Sequence, residues 1–143
     1  MNGPSIYTIG YETRHPTEVL QLLLDHQVTS LLDVRLRPQS RRPGLSKTAL
    51  TNECTNLGLV YAHDRRLGTP ADMLQEVRRT GIYDWDGYAE YLNNQQEALH
   101  VAQAIVEDHR TALLCYEINP EECHRTMVAD FLRDRTGLNV VHL

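Results

Sequence analysis

The chain has 143 residues, 41% of them hydrophobic and 23% charged, with 14 basic against 19 acidic side chains and a net charge of −5. That length suits one domain with a core that needs no staples, and the composition is that of an ordinary globular protein. The acidic balance speaks against a general DNA-coating role, although a local basic stripe can act on an acidic protein. No apolar run approaches the ~18 residues of a membrane helix, and the start of the chain lacks the basic-then-apolar layout of a signal peptide. A cytoplasmic protein without a membrane partner is expected. Three cysteines, an odd number, point to free thiols, with a Cys115–Cys123 bridge open if both meet at one site.

Ser5 to Ile9 reads as a first strand, and Pro16 opens a helix whose apolar face is Val19, Leu20, Leu23 and Leu24. Val28 to Val34 is a second, more buried strand. Ser46 to Asn56 reads as a short helix with Ser46 as cap and Leu50 inward, Leu57 to Ala62 as a third strand, and Met73 to Arg79 as a further helical piece. Thr80 to Tyr91 has glycines at Gly81 and Gly87 and reads as a loop over a cleft. Its Trp85, Tyr83, Tyr88 and Tyr91 either stack on a base or sugar or cover the core. Ala98, Leu99, Ala102, Ile105 and Val106 mark the inward face of a long helix, Ala112 to Tyr116 is a fourth strand, and Leu138 to His142 a short fifth. Strands alternating with helices of this length predict an α/β fold: a single three-layer domain over residues 1–143 with a mostly parallel sheet flanked by helices.

Ligands of such sheets bind beyond the carboxyl ends of the strands. Four of those ends carry polar groups: Tyr11 and Glu12; Asp33, Arg35 and Arg37; His63, Asp64 and Arg65; Cys115 and Glu117. Behind the fourth strand, Asn119 can cap and Pro120 suits a first helical turn. Cys123, His124 and Arg125 then fall in the opening turns of a helix, where free N–H groups favour anions and a low-pKa thiolate. The bland readings are that both cysteines are buried hydrophobes and that Asp33 only pairs with Arg35 or Arg125. Cys115, Glu117, Cys123 and His124 supply four possible zinc ligands, but their spacing is not that of paired structural sites. Adjacent Cys123 and His124 on a helix would also point to different sides. No metal and no cofactor is expected.

The loop from Arg35 to Lys47 holds five basic residues and no acidic one. Thirteen of the chain's 14 basic residues are arginines, suited to bidentate contacts with phosphate. Its Arg35, Arg37, Ser40 and Arg41, with Arg42, could clamp one phosphate or several along a nucleic-acid backbone.

The chain resembles the domain-of-unknown-function 488 family (DUF488). The residues that carry the likeness are Tyr7-Thr8-Ile9-Gly10-Tyr11, Leu32-Asp33-Val34-Arg35 with Pro38 and Ser40-Arg41-Arg42, and Leu57-Gly58-Leu59-Val60-Tyr61. They continue through Leu67-Gly68, Tyr88, and the run from Cys115 and Glu117 to Cys123-His124-Arg125. The family pattern usually has a second glycine where this chain has Thr69, and often an aromatic residue at Gly44 or Leu45. The resemblance implies a compact α/β domain with unassigned activity.

Three functions fit these residues. The preferred one is a small enzyme on a phosphate-bearing substrate, DNA, RNA or a nucleotide, cleaving a glycosidic or phosphoester bond in a repair-like role. In it Asp33 or Glu117 acts as acid or base, while Tyr11, His63, Tyr88, Cys115 and Arg125 join the arginine loop in binding. The second is a thiol enzyme with Cys123 as nucleophile and His124 or His63 as base. The third is a non-catalytic module that binds an anion or a nucleic-acid end.

Overall fold

The computed structural model describes residues 5–143. Its elements are β1 (Ser5–Gly10), α1 (Pro16–Asp25), β2 (Ser30–Asp33), α2 (Lys47–Asn56), β3 (Val60–His63), α3 (Ala71–Thr80), α4 (Trp85–Asn93), α5 (Gln96–Asp108), β4 (Thr111–Cys115), α6 (His124–Thr136) and β5 (Asn139–His142). Short 3-10 turns occupy Arg65–Leu67 and Pro120–Glu122.

The five strands form one sheet in the order β3-β2-β4-β1-β5, and every neighbouring pair is parallel. Alternation along β4 shows the layers. Ala112 and Leu114 pack with Val19 and Leu23 of α1 and Leu50 and Cys54 of α2, whereas Leu113 and Cys115 pack with Leu92 of α4, Leu99 of α5 and Val128 of α6. Helices cover both faces, so the expected three-layer α/β architecture is the one observed. Burial on both sides explains why β2 and β4 carry adjacent apolar residues, Leu31-Leu32 and Leu113-Leu114, on opposite faces of the sheet.

Two local expectations change. Leu24 lies at the rim of α1, more than a third exposed, while Val19, Leu20 and Leu23 are buried. The aromatic segment 80–91 is not a long loop, because α4 begins at Trp85. Gly81 ends α3 in a left-handed conformation, and Gly87 lies inside α4 with its N–H donated to the Asp84 carboxylate at 2.9 Å. A glycine there reads as a breaker, yet it is part of a helix cap. Tyr88 and Leu92 then recur at helical spacing and are fully buried.

Helices α1 and α2 lie on one face and α4, α5 and α6 on the other, so the chain changes faces after β3. β4 then inserts between β2 and β1. Its carboxyl end is flanked by the ends of both, which is where open parallel sheets form crevices. Among the described residues no helix is long and apolar enough to cross a membrane.

Candidate active site

The carboxyl ends of β1 and β4 and the segment after β2 open on a cavity of about 360 Å³. Gly10 ends β1, and a β-carbon there would collide with the backbone carbonyl of Glu117. Only glycine allows the chain leaving β4 to lie so close to β1. Tyr11 N–H donates to the Tyr116 carbonyl at 3.1 Å and Ile118 N–H to the Glu12 carboxylate at 3.2 Å. These contacts hold Glu117 at the cavity wall beside Tyr11 and Cys115.

Asp33 and Arg35, two residues apart across the end of β2, form a buried pair. Arg35 Nε donates to Asp33 Oδ1 at 2.8 Å and Nη2 to Oδ2 at 2.7 Å. Arg35 Nη1 donates to the Tyr11 hydroxyl at 3.1 Å and to the Leu45 carbonyl at 2.8 Å. The Tyr61 hydroxyl also donates to Asp33. Burial lowers the affinity of Arg35 for its proton, but the Asp33 bonds and charge overcome it and hold the group above its ordinary value. Burial and the bond to Asp33 push the Tyr61 phenol up. Asp33 does not line the cavity and Arg35 does. The carboxylate expected to act as acid or base is instead committed to a guanidinium, a phenol and a backbone N–H.

The second cluster surrounds Cys115. Asn119 caps only the 3-10 turn Pro120–Glu122, and α6 starts at His124. Cys123 is therefore the cap residue of α6, extended at φ −125° and ψ 136°, rather than a member of its first turn. Its sulfur accepts the Arg125 N–H at 3.5 Å and is paired with the sulfur of Cys115 as a disulfide, the two Cα atoms 7.3 Å apart, so the bridge left open by the sequence is the arrangement seen here. His124 Nε2 lies 2.8 Å from the Val34 carbonyl, which can only accept, so the ring carries its proton there and leaves Nδ1 free. Burial lowers the imidazole to about 4, against the opposing bond to Val34.

Arg125 is fully buried without a carboxylate partner among the described residues. Its Nη1 lies 3.5 Å from the Cys115 sulfur and also donates to the Glu117 carbonyl, while Nε has no partner. Burial lowers this guanidinium to about 10 despite the raising charge of Glu117. Burial also holds the Glu117 carboxyl above its ordinary value, in spite of a bond to its own backbone amide and the Arg125 charge.

Of the expected site residues, Tyr11, Arg35, Arg37, Cys115, Glu117 and His124 line the cavity. Cys123 and Arg125 lie directly behind it, each touching Cys115. Ser40 and Arg41 do not reach it. Ser40 Oγ accepts the Arg42 N–H at 3.1 Å, and Arg41 is exposed. Arg42 is directed inward, onto the carbonyls of Tyr11 and Arg14 and over the Tyr11 ring. His63 belongs to a second cavity with Arg65 and Arg66 against α5, its Nε2 2.7 Å from the Arg35 carbonyl. Tyr88 is a core residue, its hydroxyl donating to the Leu67 carbonyl and its ring edge-on to His124.

The cavity also takes in Tyr83 from the aromatic segment, and Thr69 and Arg78, neither of which was assigned a role from the sequence. Tyr83 and Thr69 share a hydroxyl bond of 2.6 Å, and burial pushes the Tyr83 phenol up to about 12. Arg78, on the exposed face of α3, stands at the cavity with Arg37, and neither makes an ion pair among the described residues. An exposed helical arginine carries no local signal of such a role. Only the packing of α3 beside the cavity, where Leu74 and Arg78 line it, supplies it.

Residues 15–132 match the model of a family described as "Domain of unknown function DUF488". No curated protein and no solved structure matches the chain.

Proposed function

The chain belongs to the DUF488 family, whose description assigns no activity, and we propose on the chemistry of the cavity that it is a small hydrolase acting on a phosphate-bearing substrate. A nucleotide or a nucleic-acid end is the favoured class, with a glycosidic or phosphoester bond as the one cleaved. The observation that carries the reading is that Arg37 and Arg78, both without ion-pair partners among the described residues, share one cavity with Glu117. Unpaired arginines can take phosphate oxygens in bidentate fashion. A half-buried carboxyl in the same cavity can serve as acid or base. Tyr11, Tyr83 and Tyr116 supply aromatic surface for a base or a sugar. Asp33 acts here as a positioning residue through Arg35, not as the proton carrier.

The test separates binding from turnover. Nucleoside monophosphates and short oligonucleotides are offered to the wild-type chain, to Glu117→Gln and to Arg37→Ala/Arg78→Ala. The reading expects Glu117→Gln to bind and not to turn over, and the double arginine variant to lose binding. Wild-type protein that binds none of these ligands at low salt would overturn it.

A further inference from the structure

We infer that Cys115, Cys123 and His124 form a zinc-binding site whose open coordination position faces the cavity. One ligand atom from each of the three lies within 4.8 Å of the other two. They come from the end of β4 and the start of α6. Adjacent Cys123 and His124 would diverge if both were helical. As the extended cap residue, Cys123 instead turns its sulfur back beside the His124 ring, 3.9 Å from Nδ1.

Each ligand is prepared by its surroundings. The bond from His124 Nε2 to the Val34 carbonyl fixes the tautomer that leaves Nδ1 with a lone pair, the outer contact that metal-binding imidazoles characteristically make. The Cys123 sulfur accepts the Arg125 N–H and the Cys115 sulfur accepts from Arg125 Nη1, each at 3.5 Å, while the Cys115 sulfur, as a thiol, also donates toward Glu117 Oε2 at 3.4 Å. Arg125 is a fully buried cation with no carboxylate among the described residues and an unpartnered Nε. Metal-bound thiolate sulfurs would give its N–H groups acceptors, in a centre whose two thiolate charges the zinc ion balances.

The two sulfurs are paired here as a disulfide, and that bridge is long for its backbone, so reduction would free both for a metal. Its Cα atoms are 7.3 Å apart, beyond the roughly 4.4 to 6.8 Å that a bridge spans without backbone movement. A cation between two thiolates spans more, since each Zn–S bond is about 2.3 Å. Two sulfurs and one imidazole are a soft donor set that selects zinc over magnesium or calcium. Three protein ligands leave a fourth position for water or substrate. Cys115 and His124 line the cavity, and Glu117 Oε2 lies 3.4 Å from the Cys115 sulfur, so that position lies next to Glu117.

The site is argued from its donors alone; any part it plays in hydrolysis rests on the reading of the cavity given above. The full chain is purified under reducing conditions with zinc, its metal is counted by plasma mass spectrometry, and cobalt(II) is then substituted. About one metal per chain is expected, with a thiolate-to-cobalt charge-transfer band. Both should vanish in Cys123→Ser and His124→Ala and persist in Cys54→Ala. Serine keeps a side-chain acceptor at the α6 cap, so circular dichroism separates a lost ligand from a lost fold, and the cobalt spectrum of the wild-type chain carries the test even where a variant misfolds. Reduced wild-type protein without metal or band would overturn the inference, as would a Cys115–Cys123 disulfide that forms quantitatively with zinc present. The assay contains no phosphate ligand. Zinc binding without phosphate binding refutes the substrate reading alone, and phosphate binding without zinc refutes this one alone.

Discussion

Asp33 and Arg35 are joined by two parallel bonds of 2.8 and 2.7 Å, with the carboxylate inside the protein and the guanidinium at the cavity wall. The pair converts the end of β2 into a fixed cationic surface. Asp33→Asn removes one partner and leaves the other buried, so the fold should lose about 3 to 5 kcal/mol in urea denaturation. A loss below about 1 kcal/mol, the range of exposed pairs, would show that the pair organises nothing.

The arginine loop divides into ligands and props. Arg37→Ala and Arg41→Ala should each leave stability within about 0.5 kcal/mol of wild type, since both side chains are exposed. Arg42→Ala should destabilise by about 1 to 3 kcal/mol, because it strips donors from the Tyr11 and Arg14 carbonyls. Phosphate titrations followed by NMR should weaken for Arg37→Ala and Arg78→Ala and stay unchanged for Arg41→Ala. Equal weakening by Arg41→Ala would move the anion site out of the cavity.

Much of this was legible in the sequence, for identifiable reasons. Strands β2 and β4 stood out because burial on both faces puts apolar residues side by side at Leu31-Leu32 and Leu113-Leu114, and the gathering of Cys115, Glu117 and His124 followed from a short return after a central strand. The helix expected to open at Pro120 opens four residues later, at His124, because Pro120 suits a 3-10 turn as well as a helix, and that shift decides where the Cys123 sulfur points. His63 and Tyr88 sit near the right strand ends in sequence, but adjacency does not say which cavity or which layer a side chain enters. Helix α4 was hidden by Gly87, whose N–H serves the Asp84 cap.

Asp64 supplies a pH signature away from the cavity. Its carboxyl is half-buried, and burial would raise it, but the bonds and charge of Arg66 win and hold it below its ordinary value. A depressed carboxyl contributes stability above its unfolded pKa of about 3.9, and that contribution is lost as pH falls through the lower folded value. Asp64→Asn should therefore flatten the acid limb of a stability–pH curve below about pH 4 and change little of its slope at neutral pH. An acid limb identical to wild type would contradict the assignment.

After reduction of the Cys115–Cys123 pair, the three thiols should be alkylated in a fixed order. Cys115, though buried, borders the cavity, whereas Cys54 lies in the core with its thiol pushed up to about 11 by burial and by the charge of Glu53. Iodoacetamide near neutral pH should modify Cys115 first and Cys54 last, because only the thiolate reacts. Mass spectrometry of peptides reads the order. Early modification of Cys54 in the folded chain would be inconsistent with this packing.

The central claim is that the cavity between β1, β4 and α3 is an anion-binding active site, and its most direct test is a crystal of the protein soaked in inorganic phosphate or a nucleoside monophosphate. The account predicts phosphate density between Arg37 and Arg78, with the rest of the ligand toward Tyr11 and Glu117. Phosphate found only at Arg65 and Arg66 in the second cavity, or at neither place, would contradict it.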